Sequence, residues 1–208
     1  MTRRARFSAS TKRALVDVAE QLFTEHGYTA TSLDAIVAGA DVTKGALYHH
    51  FSGKQAIFEA AFERVESRAT SGISEATDGH RDPWAKAQAG LRAFLGAVQE
   101  PAYRQIVIAD GPSVLGHERF REQEERSTYA IVDEIVRSVL TSDEWDLDPE
   151  MLDTFTRIFF GAMSAAGGSV AASEDPAAAA ARVEAAIGFI LAGLQQLLES
   201  GAAPTSRT

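Results

Sequence analysis

Residues 31–51 read TSLDAIVAGADVTKGALYHHF, and this stretch decides the fold. Leu33, Ile36 and Val37 give its first half a short apolar face, and Leu47 and Phe51, spaced i, i+4, give its second half another. Gly39 and Asp41 between them are poor helix formers that suit a turn, and Val42 is the apolar residue to pin that turn to a core. The expected structure is two short helices joined by a tight turn. Thr31, with Asp34 three residues on, is the expected cap of the first helix, and Thr43 that of the second.

The direction of the second helix follows from its period. At about 100° per residue the mean direction of Leu47 and Phe51 lies opposite His49. Gly45 and Ala46 flank His49, and Tyr48 and His50 lie further round. The outward face is therefore small residues first and polar rings after. Glycine costs about 1 kcal/mol in a helix relative to alanine, so Gly45 fits a surface that something approaches closely. His49 and His50 point about 100° apart, which argues against a metal site shared between them; a structural pair on a helix surface is their bland reading.

Working outward, residues 11–26 form a helix with Leu15, Val18, Ala19, Leu22 and Phe23 on one stripe, and Gly27 is placed to end it. Downstream, Ser52 and Gln55 make a second capping-box pair, followed by the stripe Ile57, Phe58, Ala61, Phe62 and Val65. Lys54 falls in the first turn beside free amides and the positive end of the helix dipole; it is either a phosphate ligand or an ordinary solvated lysine. Arg3, Arg4 and Arg6 in residues 1–8 are either a solvated tail or a basic arm.

The net charge is -9, which at first opposes nucleic acid, but it is unevenly spread. Residues 1–70 carry nine basic and eight acidic side chains, and the rest of the chain 11 and 21. Residues 1–13 carry five basic side chains and no acid. That asymmetry suggests a local phosphate-facing surface on an acidic protein. There is no cysteine, so disulfides, thiolate metal sites and a cysteine nucleophile are excluded. With no secretory leader and no apolar run of the roughly 18 residues a membrane span needs, a cytoplasmic protein without membrane contact is expected.

The string VTKGALYHHFSGKQAIFEA at 42–60 resembles the TetR family of bacterial transcriptional regulators, chiefly repressors. Its specific part is the Gly45-x-Leu47-Tyr48-x-His50-Phe51 core with Lys54 following, after a helix ending in His26-Gly27-Tyr28. The resemblance covers about residues 9–68, with the helix-turn-helix at about 32–51. It implies that Lys44, Gly45, Tyr48, His49 and His50 line a DNA face and that Thr31, Thr43 and Lys54 reach phosphates. Ala46 and His49 fall where the family varies, so no base preference carries over. The implied fold is all-α: an N-terminal DNA-binding domain and, over 69–200, a helical regulatory and dimerisation domain.

The second part is read from its own pattern. Residues 70–82 are expected to be a loop. A helix follows from Asp82-Pro83 to about Gln99, another up to a break at Asp110-Gly111-Pro112, and a long one from Gly116 to about Leu140. Residues 142–150 are expected to be a loop and 201–208 a disordered tail. The last two helices, about 150–173 and 176–200, are apolar on more than one side, which predicts a homodimer built through them. Two copies of the recognition helix on a two-fold axis suit a palindromic double-stranded DNA operator.

The family resemblance implies a cavity for a small-molecule effector in this part, with candidate lining residues Phe62, Trp84, Leu91, Phe94, Tyr103, Ile106, Tyr129, Phe155, Phe159 and Met163. Taken singly, each of these reads first as core packing. Such a lining favours an apolar ligand, which Arg104, Asp110, His117 or Arg157 could orient. Regulation without an effector, or by a protein partner, is the nearer alternative. An enzyme is the remote one: Asp110, His117 and Glu118 are the one close acid–His cluster, and no phosphate loop, nucleophile elbow or metal-ligand spacing accompanies them. No cofactor is expected.

Overall fold

The computed structural model describes residues 3–126, 128–141 and 147–200, and every regular element among them is helical. The expected tail at 201–208 lies outside the described residues. α1 covers Arg3–Ala30, so the backbone is helical from well before Thr11 and through most of the stretch read as an arm. Gly27 interrupts it at φ 75, ψ 170, a conformation that glycine adopts without a side-chain penalty. α2 is Leu33–Gly39, α3 is Lys44–His50 and α4 is Lys54–Asp78. The turn between α2 and α3 is made by Asp41 at φ 51, a region that short polar side chains tolerate. Gly39 has a different reason to be glycine. A Cβ there would lie 2.7 Å from Val18 Cγ1, so α2 packs on α1 only without one.

Several expected boundaries move. Residues 70–78 of the expected loop are instead the last part of α4, held by buried Ile73 and Thr77, whose hydroxyl donates to Ser74 O, and the loop is confined to 79–82. α5 is Pro83–Gln99, capped by Asp82, which accepts from Ala85 N at 3.0 Å. The backbone then winds as a π-helix over Tyr103–Asp110 and continues into α6, Gly111–Leu115. The break expected at Asp110-Gly111-Pro112 is absent because Pro112 sits in the first turn of α6, where a missing N–H costs nothing. The chain breaks at Gly116, φ 79. The single helix expected to Leu140 is described as α7, His117–Arg126, and α8, Thr128–Leu140, either side of residue 127. α9 is Pro149–Ala171; Asp148 caps it, accepting from Met151 N, and Pro149 opens the helix instead of lying in a loop. α10 is Pro176–Glu199.

Contacts divide the chain into two compact units. The first is the chain up to Arg68 together with Glu100–Gln123; the second is Ala69–Gln99 with the chain from Glu124 on. In the first unit Leu15, Ala19 and Phe23 of α1 are buried with Ile36, Leu47, Phe58 and Phe62. Its rings form a ladder: Phe23–Phe58 5.2 Å, Tyr28–Phe58 5.2 Å, Phe58–Phe62 6.5 Å and Phe62–Phe120 6.0 Å between centroids. Arg64 of α4 ties to Asp17 and Glu20 of α1. Segment 100–123 is part of this body. Ile106 and Val107 are buried, Gln55 Nε2 donates to Val114 O at 3.0 Å, and Arg119 pairs with Glu59. The unit is thus larger than the contiguous 9–68 expected from the sequence.

The second unit buries Ala87, Val136, Val139, Leu140, Leu152 and Leu191, with Trp84, Phe155, Phe159 and Ile187 packed against them. A polar seam joins α8 to α9. Fully buried Thr156 donates to Asp133 Oδ1 at 3.0 Å, and Tyr129 Oη donates to Asp153 at 3.0 Å. The Arg137 guanidinium beside Asp133 holds that carboxyl below the usual carboxylate range. One expectation about membranes is corrected. Pro176–Leu197 is long and apolar enough, by length and composition, to cross a bilayer. Its Arg182 and Glu184, and its packing on α5 and α9, suit a bundle helix instead.

Gly111→Ala tests the place of segment 100–123 in the first unit. The added Cβ would lie 2.9 Å from a Phe62 ring carbon, 3.1 Å from Phe120 and 3.2 Å from Ile106 O. Overpacking of this kind costs about 1–3 kcal/mol, so urea denaturation of the variant should show a lowered midpoint.

Candidate nucleic-acid interface

α3 is built by its cap and its two inward residues. Thr43 Oγ1 accepts from Ala46 N at 3.1 Å, fixing the helix start. Leu47 and Phe51 are buried, as the i, i+4 spacing predicts. The opposite face is open. Tyr48 is 60% exposed, and Lys44, Gly45 and His49 are exposed; Ala46 and His50 are half-buried. A Cβ on Gly45 would meet nothing closer than Thr43 Oγ1 at 3.8 Å, so nothing within the protein demands a glycine there. That observation fits a helix start left bare for a close approach from outside.

The face is close to neutral. Lys44 Nζ lies 2.7 Å from Asp34 Oδ1 across the turn, and this pairing raises the lysine pKa. An incoming phosphate therefore competes with Asp34 for the ammonium. His49 and His50 stack edge to face at 5.0 Å. Burial first, then His49 and Lys12, push the His50 pKa below the ordinary imidazole value, so His50 is uncharged at neutral pH. Its nitrogens can hydrogen-bond without adding charge.

One expected phosphate contact is relocated. Thr31 is not on the surface. It is buried, and its single hydroxyl proton is shared between Gly27 O at 2.9 Å and Leu22 O at 3.1 Å, binding the end of α1 to the start of the motif. The cap of α2 is Ser32, whose Oγ accepts from Ala35 N at 3.1 Å. Lys54 is neither free nor simply solvated. Its Nζ sits 4.3 Å from the Tyr28 ring centroid and donates to Thr29 O at 3.3 Å. Gln55 does not close a capping box with Ser52; its amide reaches Val114 O.

The candidate effector residues divide between the units. Leu91, Phe94, Phe159 and Met163 line an apolar cavity of about 90 Å³ within the second unit, together with residues of α8 and α10 such as Ile135, Val139 and Leu194. Among the described residues of its lining, Thr128 alone carries a hydroxyl. Trp84 and Phe155 pack in the adjoining core, and Tyr129 turns to Asp153 and the Phe160 ring. Phe62, Tyr103 and Ile106 are buried in the first unit and line nothing in the second. Arg104, Asp110 and His117 also belong to the first unit, and Arg157 pairs with Asp153. The contacts of Ser32, Asp34 and Asp110 are the ones not foreseen from the sequence. Ser32 was legible as an alternative cap next to Thr31. Asp110 was not, because 82 residues separate it from the amide it binds.

Residues 15–61 match the model for bacterial regulatory proteins of the tetR family, and residues 84–194 match the tetracyclin repressor-like C-terminal domain. The chain belongs to the TetR family. A TetR-family transcriptional regulator from Pectobacterium atrosepticum superposes with a TM-score of 0.73 at 28% identity, over 93% of this chain and 97% of that one. The transposon Tn10 TetC protein of Escherichia coli is 32% identical over 107 residues, 51% of this chain and 54% of that protein. The HTH-type transcriptional regulator AcrR of Shigella flexneri is 42% identical over 57 residues, 27% and 26% of the two chains. The chain thus spans about half the length of TetC and a quarter of AcrR. TetR-family proteins are transcriptional regulators, not enzymes; they bind DNA, dimerise and bind small-molecule effectors.

The relocation of Thr31 has a measurable consequence. Thr31→Val removes this buried hydrogen bond and should lower stability by about 0.5–1.5 kcal/mol. The operator affinity of the folded variant should stay as in the wild type. A weakened operator affinity without loss of stability would return Thr31 to the DNA face.

Proposed function

We propose that the protein is a cytoplasmic, homodimeric, sequence-specific DNA-binding regulator. It acts as a repressor, released from a palindromic operator when a small apolar molecule binds in the second unit. The observation that carries the reading is the open face of α3. It has a glycine with no internal reason to be one, an exposed tyrosine and two histidines, on a helix rigidly capped and pinned from behind. In this reading Lys44, Gly45, Ala46, Tyr48, His49 and His50 enter the major groove, and Thr43 and Lys54 approach phosphates.

Dimerisation through α9 and α10 is supported by apolar side chains that the single chain leaves in water. Phe189 is 82% exposed, Ile158 61%, Ile190 53% and Leu197 50%. Burying each large apolar side chain is worth about 1.5–3 kcal/mol, and a two-fold mate is the partner that the family supplies. An apolar effector is supported by the cavity lining, which would leave any charged group unpaired. At about 90 Å³ the cavity is smaller than the roughly 300 Å³ and upward of ordinary ligand pockets. A ligand must therefore push its walls apart, and the free energy of doing so is what would distinguish the two states.

Operator fragments selected from genomic DNA provide the test. In gel shifts Lys44→Ala and Tyr48→Ala should each bind about tenfold or more weakly; two variants that bind like the wild type would remove α3 as the recognition helix. In a thermal-shift screen, uncharged apolar compounds should raise the melting temperature and weaken operator binding. A compound that binds in the cavity and leaves operator affinity unchanged would sink the induction half of the proposal.

A further inference from the structure

Asp110 belongs to neither the recognition face nor the cavity, yet its carboxylate, at the end of the π-helix, accepts two hydrogen bonds behind the motif. Its Oδ2 accepts from the Tyr28 amide at 2.8 Å and from Gln105 Nε2 at 3.0 Å. The amide needs that acceptor. Gly27, at φ 75, ψ 170, takes the backbone off its helical path, and an N–H beyond such a break has no intrahelical carbonyl to rely on. The turn is also pressed against this pair: a Cβ on Gly27 would lie 3.2 Å from Gln105 Nε2 and 3.6 Å from Asp110 Oδ2.

What Asp110 fixes is the seat of Lys54. The Tyr28 ring lies under the Lys54 ammonium at 4.3 Å, and the carbonyl of Thr29, one residue on, accepts from it at 3.3 Å. Ring and carbonyl both belong to the turn that Asp110 holds. Burial pushes the Lys54 pKa down, and the Asp110 charge opposes that push. An ammonium has three donors, and this seat uses one of them while fixing the direction of the others at the N-terminus of α4, just after the recognition helix.

We propose that Asp110 is a positioning residue for DNA binding, holding the Tyr28–Thr29 turn that seats Lys54 where its remaining donors reach a backbone phosphate. The proposal rests on the DNA-binding reading above. It differs from a purely structural role for Asp110 in one respect: loss of the oxygen acceptor for the Tyr28 amide removes a phosphate contact without touching the groove face.

The test is fluorescence anisotropy of the full chain on the selected operator duplex between about 50 and 200 mM salt. Each phosphate contact contributes about 0.9 to the slope of log K against log salt. Asp110→Ala should weaken binding about five- to tenfold and lower the slope by about 0.9, as Lys54→Ala does. The double variant should be no weaker than either single one. Asp110→Asn keeps an oxygen acceptor for the Tyr28 amide and should keep the wild-type slope. If Asp110→Ala does not fold, Gln105→Ala, which frees the carboxylate from its second partner, should shift the slope in the same direction. A wild-type slope in Asp110→Ala, or additive losses in the double variant, overturns the proposal and leaves the DNA-binding reading standing. A wild-type chain that binds no duplex overturns both.

Discussion

A helix of seven residues does not persist in water by itself, since nucleation consumes most of what its few hydrogen bonds return. α3 is such a helix, and its existence depends on being pinned from one side. Leu47 and Phe51 supply the pins, α1 and α2 supply the surface they enter, and Thr43 closes the exposed end. Much of the first unit follows from this need. The bare contact between Gly39 and Val18, the Asp41 turn and the ring ladder from Phe23 to Phe120 bring enough apolar surface behind one short helix to leave its other face free.

Where sequence reading succeeded, the physics was local. The i, i+4 pair in α3, the stripe of α1, and the caps at Thr43 and Asp82 are all decided by residues within a few positions of one another. It failed where a distant partner decides. Thr31 looks like a surface cap until the carbonyls of Leu22 and Gly27 take its hydroxyl inward. Residues 70–78 look like a loop by composition, yet stay helical because Ile73 and Thr77 are buried. Phe62, Tyr103 and Ile106 carry the same apolar signal as Leu91 and Phe94, and only the folded chain sorts them into different cores. Asp110 has the composition of a turn, and the structure uses it as an acceptor for an amide far back in the chain.

The charge distribution has a physical reading of its own. The exposed face of α3 offers one ammonium, already paired with Asp34, and a His50 ring whose pKa burial pushes below the ordinary imidazole value. A face of this kind discriminates by hydrogen bonding and fit. Long-range attraction must come from elsewhere in an acidic protein, and the basic residues of 1–13 are the concentration of positive charge available for it.

The two matched regions, 15–61 and 84–194, suggest a chain that can be divided once, between them. The packing does not divide there. Residues 100–123 fall within the second match but are built into the first unit, where Gly111 and Phe120 meet Phe62 and Val114 O takes the Gln55 amide. A recombination event that joins this DNA-binding sequence to the regulatory half of another relative would therefore exchange part of the DNA-binding unit's own wall. Such a hybrid inherits a foreign residue opposite Phe62, Gln55 and Tyr28, so the compatibility of swapped halves is set at those three positions and not at the linker.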